Sequence, residues 1–260
     1  MRIGLLSAPS NLGLRPPAPA SVPGCVKAPE ALREAGLHRR LAGSGAEERG
    51  VILPGRYADD AAPGSLRNPL AIIEHARRLV ARIDLLRAGG LAPLVPGGDC
   101  SILVAAGLSL RRAPGRYGLV HLDGHADFRD PRNSDQCASL AGEDPAAVGR
   151  HWPAIADIDG LSPYFFPVDT AHAGCRDDDQ ELQQATAVLG AVLPASQIRR
   201  RGVQRAAPAA ARSWLRVRQR HRAGHKVKKE QASWSFHSGC APGAAAAPGR
   251  PVREWRDCSL

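Results

Sequence analysis

The segment Tyr117–Asp127, YGLVHLDGHAD, joins an apolar run directly to a polar cluster. Tyr117 to Leu122 reads as a buried strand, after which Asp123, His125 and Asp127 alternate with small residues. If the pleat continues past Leu122, these three side chains project to one side of it. Two carboxylates and an imidazole without a thiolate suit a fairly hard divalent ion such as Mn2+, with Zn2+ and Fe2+ disfavoured rather than excluded. The same letters also fit a strand-to-loop turn in which the aspartates accept backbone N–H groups. In a parallel sheet, ligands gather outside the carboxyl ends of the strands, where this cluster falls.

Upstream, Leu91–Val95 reads as a strand running into Gly97-Gly98-Asp99-Cys100-Ser101, with a helix from Ser101 to Leu110. The glycine pair lets the turn present Asp99 or Cys100 at the same rim. Alternatively, Asp99 is an N-cap and Cys100 a small buried residue. Asn68-Pro69 reads as an N-cap and first-turn proline. Leu70, Ile72, Ile73, Ala76, Leu79, Val80, Ile83 and Leu86 then recur at helical spacing, and Gly89-Gly90 ends the helix. Ile3–Ala8 and Val51–Leu53 read as strands, with a helix from Pro29 to about Leu41. Val168–Ala173 reads as a strand, and Asp177–Leu189 as a helix with its acids at the positive N-terminal end. Strands interleaved with helices predict an α/β fold with a mostly parallel sheet and helices on both faces.

Other polar groups are weaker candidates. Asp157-Ile158-Asp159-Gly160 is an alternating carboxylate pair, equally well read as an Asx-turn before a glycine. Asp177-Asp178-Asp179 reads as a helix cap. His121, His151 and His172 stand singly and read as structural or solvent-exposed. The sequence holds no GxSxG elbow, no GxxxxGK[ST] loop and no GxGxxG after the first strand, so serine hydrolase, P-loop and Rossmann readings lack support.

The chain has 260 residues, enough for a sizeable core, and 43% of them are hydrophobic. No apolar run approaches the roughly 18–20 residues of a membrane helix, and the N-terminus is too short in apolar residues for a signal peptide. The six cysteines include no CxxC pair and read as free thiols in a reducing cytoplasm. The net charge of +10 is unevenly placed. Residues 197–260 carry fifteen Lys or Arg against three acids, +12, which leaves residues 1–196 at −2. That segment has few Ile, Leu or Val, so 199–260 reads as a basic, mostly disordered tail with a short basic helix near 208–222. It lacks any recognised nucleic-acid motif, and its tryptophans are isolated rather than set as a stacking row.

GGDCS at 97–101 followed by HLDGHADF at 121–128 resembles the ureohydrolase (arginase/agmatinase) superfamily, whose motifs are GGDHS, DAHxD and a later SxDxDxxDP. IGLLSAPSNLG at 3–13, PGCVKAPEALREAGL at 23–37 and AGCRDDDQEL at 173–182 are similar to other segments of that family. The resemblance covers about residues 1–198. It implies a three-layer α/β/α domain there, incomplete at the C-terminus, and a binuclear Mn2+ site that hydrolyses guanidino or amidino C–N bonds. By position, Asp123, His125 and Asp127 match the middle ligand cluster, and Cys100 takes the place of a histidine ligand. The resemblance further implies a small guanidino or amidino substrate contacted by the loop Arg129–Ala138, no membrane partner, and trimers or hexamers where the C-terminus is intact.

Two departures stand out. A thiolate at Cys100 matches Mn2+ poorly, and the SxDxDxxDP motif is missing where the family places it. Asp157 and Asp159 mimic its letters only 34 residues after Asp123. One idea covers both the missing motif and the odd tail: a reading frame that shifts near 198–208 in GC-rich coding DNA. The expected activity is then an impaired hydrolase. The alternative is a non-catalytic relative whose tail binds nucleic acid or another polyanion.

Overall fold

The computed structural model describes residues 2–61, 65–129, 140, 152–202 and 235–236. Strand β1 (Arg2–Ser7) is flanked in parallel by β2 (Glu47–Val51) and β3 (Leu91–Leu94). A second parallel group runs β6 (Ala191–Leu193), β5 (Thr170–Ala173), β4 (Leu119–Leu122), β7 (Ser235–Phe236). Between them in sequence lie α1 (Ala28–Glu34), α2 (Leu37–Ala42), α3 (Pro69–Ala88), α4 (Leu103–Arg112), α5 (Pro153–Ala156), α6 (Leu182–Val188) and α7 (Ala195–Arg201). Parallel neighbours need crossover helices, which cover the sheet faces and give the three-layer α/β/α arrangement.

The main core forms where α3 and α4 press on the strands. Leu79 and Val80 of α3, Leu103 and Leu108 of α4 and Leu6 of β1 are fully enclosed. A smaller cluster of Ala126, Phe128, Ala185 and Leu189 packs α6 beneath the loop after β4. The apolar stripe of α3 was legible, and the helix runs as its spacing predicts.

Several boundaries differ from the sequence reading, each for a local reason. The helix expected from Pro29 to Leu41 is broken at Gly36, whose φ of 88° only glycine adopts freely. β2 falls earlier than Val51–Leu53, because Glu47 and Glu48 pair with Gly4 and Leu5. β2 is the outer strand of its group and carries charge, an arrangement that discourages further pairing. Asn68 is not a side-chain cap of α3. It sits at φ 51°, its Nδ2 donates to the Leu12 carbonyl at 3.0 Å, and its Oδ1 accepts the Ala58 N–H at 2.8 Å. The acids 177–179 precede α6 rather than opening it. The proposed disorder of the tail and its helix near 208–222 lie outside the described residues, as does His151. The tail does supply β7, which pairs in parallel with β4 through His121–Ser235 and Leu122–Phe236.

Candidate metal centre

β4 ends at Leu122, but its ladder extends one step further: the Asp123 N–H donates to the Ala173 carbonyl at 3.1 Å. The chain then bends. The Asp123 Oδ1 accepts the His125 backbone N–H at 2.8 Å, and Asp127 takes a left-handed φ of 49°. Aspartate is among the few non-glycine residues that tolerate this conformation. The pleat therefore does not carry all three DGHAD side chains to one side.

Among the described residues, the group whose ligand atoms all lie within 4.8 Å of one another is His121, Asp123 and Asp127, all three buried. His121 and Asp123 share a face because they are two residues apart on the pleat, and the turn at Asp127 brings the second carboxylate back to them. His125 stands at the edge, its side chain 40% exposed and its Nδ1 3.4 Å from the Asp123 Oδ1. Cys100, partly buried, is not a member of the group. His121 stands alone in the sequence, yet the same alternation, counted backwards from Asp123 into a buried strand, reaches it.

β5 builds the floor. His121 and His172 are register partners across β4 and β5, and their Nδ1 atoms lie 2.8 Å apart with the rings at 4.9 Å. Both imidazoles are fully buried. Burial pushes the His172 pKa down to about 4, against the opposing pull of Asp123 and Asp179, so the ring is neutral at pH 7. Gly174, at φ 107°, lets β5 end close against this turn, since a Cβ there would lie 2.9 Å from the Asp123 carbonyl oxygen.

The acidic run also takes part. Asp179 Oδ2 accepts the Ala126 N–H at 3.1 Å, which pins the DGHAD loop to the segment before α6. Asp177 accepts the Ser196 N–H at 3.2 Å and its hydroxyl, fastening that segment to α7. The Cys175 thiol beside them is pushed up to about 11, chiefly by burial, and is not a thiolate at pH 7.

The glycine turn after β3 is anchored from the other side. Asp99 Oδ2 accepts the Gly13 N–H, and Oδ1 accepts the Ser101 hydroxyl at 2.5 Å. Burial raises its carboxyl above the usual range, while hydrogen bonds from Ser101, Ser10 and Gly13 oppose the rise. Asp99 thus ties the loop after β1 to the turn that carries Cys100. The other alternating pair is structural: Asp157 Oδ1 accepts the Ser162 N–H, and Asp159 is ion-paired with Arg77 and Arg112. Arg112 ends α4, a ten-residue helix, at the opposite end from Cys100, about 15 Å along the axis. The loop 130–138, named as a substrate contact, lies outside the described residues.

A parallel α/β sheet with buried carboxylates and an imidazole grouped at a strand's carboxyl end defines a class of α/β proteins whose strand-end cluster could hold a metal ion. Within it, the sequence profile of the Arginase family matches residues 2–221, and the chain belongs to that family. It is 28% identical over 182 residues to an arginase of Bacillus caldovelox, covering 68% of this chain and 59% of that one. It is 33% identical over 63 residues to a guanidinobutyrase of Pseudomonas aeruginosa, 24% of this chain and 20% of the other. The structure of Bacillus caldovelox arginase superposes with a TM-score of 0.71 at 26% identity, over 82% of this chain and 71% of that one. Proclavaminate amidino hydrolase of Streptomyces clavuligerus shares the fold at a TM-score of 0.54 and 21% identity, over 81% and 63% of the two chains. The chain thus spans about three fifths of the length of the curated arginase it matches.

Proposed function

We propose that this chain is a divalent-metal hydrolase of linear guanidino or amidino C–N bonds, working with Mn2+ and weakened by its missing late aspartates. The observation that carries the reading is the buried group of His121, Asp123 and Asp127 at the carboxyl end of β4. The donor set fits the ion: oxygen and imidazole ligands, enclosed and without a thiolate in the inner group. Asp123 and Asp127 would hold the ion, with His125 at the mouth and Cys100 as a further ligand from the β3 turn. A divalent cation held there supplies a Lewis acid and lowers the pKa of water into the neutral range.

The chain's own residues do the rest. Asp123, buried and hydrogen-bonded by the His125 N–H, is fixed in orientation before any ligand arrives. Asp179 holds the loop at Ala126. His125, the exposed member, faces the solvent side from which a substrate enters. The substrate is a small guanidino or amidino compound, and the protein works in the cytoplasm without nucleic-acid or membrane partners, its relatives' homo-oligomeric assembly being open to it only where the C-terminus is intact. Among the described residues no helix is long and apolar enough to cross a membrane.

The test is urea release from arginine, agmatine and 4-guanidinobutyrate by purified chain supplied with Mn2+. Release that depends on Mn2+ and is lost in Asp127→Asn is the expected outcome. A folded, Mn2+-treated chain inactive on every guanidino and amidino compound would sink the reading in favour of a non-catalytic relative.

A further inference from the structure

We infer that His121 is itself a cation ligand, held in the required tautomer by His172, so that this chain carries a compact site of one imidazole and two carboxylates on β4 and its turn. The inference rests on the metal-binding part of the reading above and deepens it, because His121 lies outside the DGHAD letters. Three observations converge. A ring nitrogen of His121 and carboxylate oxygens of Asp123 and Asp127 fall within 4.8 Å of one another. Donors about 2.0–2.2 Å from one ion lie at most about 4.4 Å apart, so a closure of a few tenths of an ångström brings all three onto one ion. All three side chains are buried, so water screens the paired carboxylates poorly and a cation between them is favoured.

The third observation is the imidazole pair. A hydrogen bond between the two Nδ1 atoms, 2.8 Å apart, is made by one proton, so one ring donates and the other accepts. When His121 donates from Nδ1, its Nε2 keeps the lone pair that a cation needs, and His172 accepts while carrying its own proton on Nε2. Metal-bound histidines generally give their other ring N–H to a fixed acceptor. Here that acceptor is placed by sheet register, through the pairing of His121 with His172, and lies 2.8 Å away. His172 Nε2 is enclosed with no hydrogen-bond partner among the described residues. His172 is a positioning residue and touches the ion only through His121.

The experiment loads the full chain carrying His125→Ala with Mn2+ and reads directly bonded nitrogen by pulsed electron paramagnetic resonance, using 15N-histidine to identify the source. Histidine nitrogen coupling that persists in His125→Ala is the expected result. The coupling should vanish when His121→Gln is added, and this second variant should weaken Mn2+ binding at least about tenfold. His172→Phe, which removes the acceptor, should weaken Mn2+ binding by about 10–100-fold, and His172→Gln, which restores one, should recover most of it. Mn2+ bound to His125→Ala without nitrogen coupling overturns the inference, as does a His125→Ala chain that no longer binds Mn2+. Both leave the hydrolase reading to be judged by urea release. Nitrogen coupling in a chain that releases no urea keeps the site and removes the hydrolase. No Mn2+ bound to the unaltered chain overturns both.

Discussion

Gly98 meets the tightest approach in the rim. A Cβ built there would lie 1.8 Å from the Ser10 carbonyl oxygen, which is backbone and cannot turn away. At Gly97 the nearest atom, at 2.1 Å, is the Cδ1 of Ile102, the far end of a flexible side chain. Gly98→Ala should therefore destabilise by the upper part of the about 1–3 kcal/mol range for overpacking or more, and Gly97→Ala by clearly less. Urea denaturation of the two variants orders them, and equal losses would contradict this packing. His75 makes a prediction about pH. Its buried Nε2 lies 3.1 Å from the Ile52 carbonyl, and burial lowers its pKa below 6.5. The unfolded chain then binds the proton more readily than the folded one. This contribution to stability is whole above pH 6.5 and is lost as pH falls through the folded value. His75→Gln keeps a donor for Ile52 and cannot titrate, so its stability should fall less between pH 7.5 and 5 than that of the unaltered chain. Identical slopes in the two proteins would remove His75 from the account.

Elements explain why the site was only half legible. Alternation along β4 announces a polar cluster, but counted forward from Asp123 it runs where the pleat is already ending. Nothing in the letters DGHAD says that Asp127 turns to a left-handed φ, and the partnership of His121 with His172 depends on a register between strands 51 residues apart. Likewise α3 could be read because its stripe is set by local spacing. The breaks at Gly36 and before α6 reflect loops tied to distant segments. Asp177-Asp178-Asp179 shows this well: its acids fit a helix cap, yet two of them fasten the DGHAD loop and α7. Asp179→Ala leaves the enclosed Ala126 N–H without its acceptor, which should cost about 1–3 kcal/mol and weaken Mn2+ binding. By contrast, Asp159→Asn breaks only half-exposed ion pairs with Arg77 and Arg112. It should cost about 0.2–1 kcal/mol and leave the number of bound Mn2+ ions unchanged. Loss of an ion in Asp159→Asn would revive that pair as a ligand motif.

At the scale of the whole molecule, strand–helix alternation and motif order in 1–198 were enough for the fold class, and the superposition on Bacillus caldovelox arginase at a TM-score of 0.71 agrees. The addition of β7 from the basic segment could not be foreseen, because a two-residue strand has no period to read. The same scale gives a test of the metal centre that needs no substrate. Asp123 and Asp127 hold like charges together in a buried place, which disfavours the metal-free fold. A cation that binds only the folded chain stabilises it by about 2.7 kcal/mol at a hundred times its dissociation constant. For a domain of this size each kcal/mol shifts the melting temperature by about 2–4 °C, so saturating Mn2+ should raise it by about 5–10 °C, reversed by EDTA. Asp127→Asn should move the two states in opposite senses. Without metal it relieves the repulsion, and asparagine keeps the left-handed turn, so the melting temperature should hold or rise. With Mn2+ the shift should largely disappear. A purely structural aspartate predicts the reverse in the metal-free chain, a lower melting temperature with no dependence on Mn2+, and calorimetry of the two proteins with and without EDTA separates the cases.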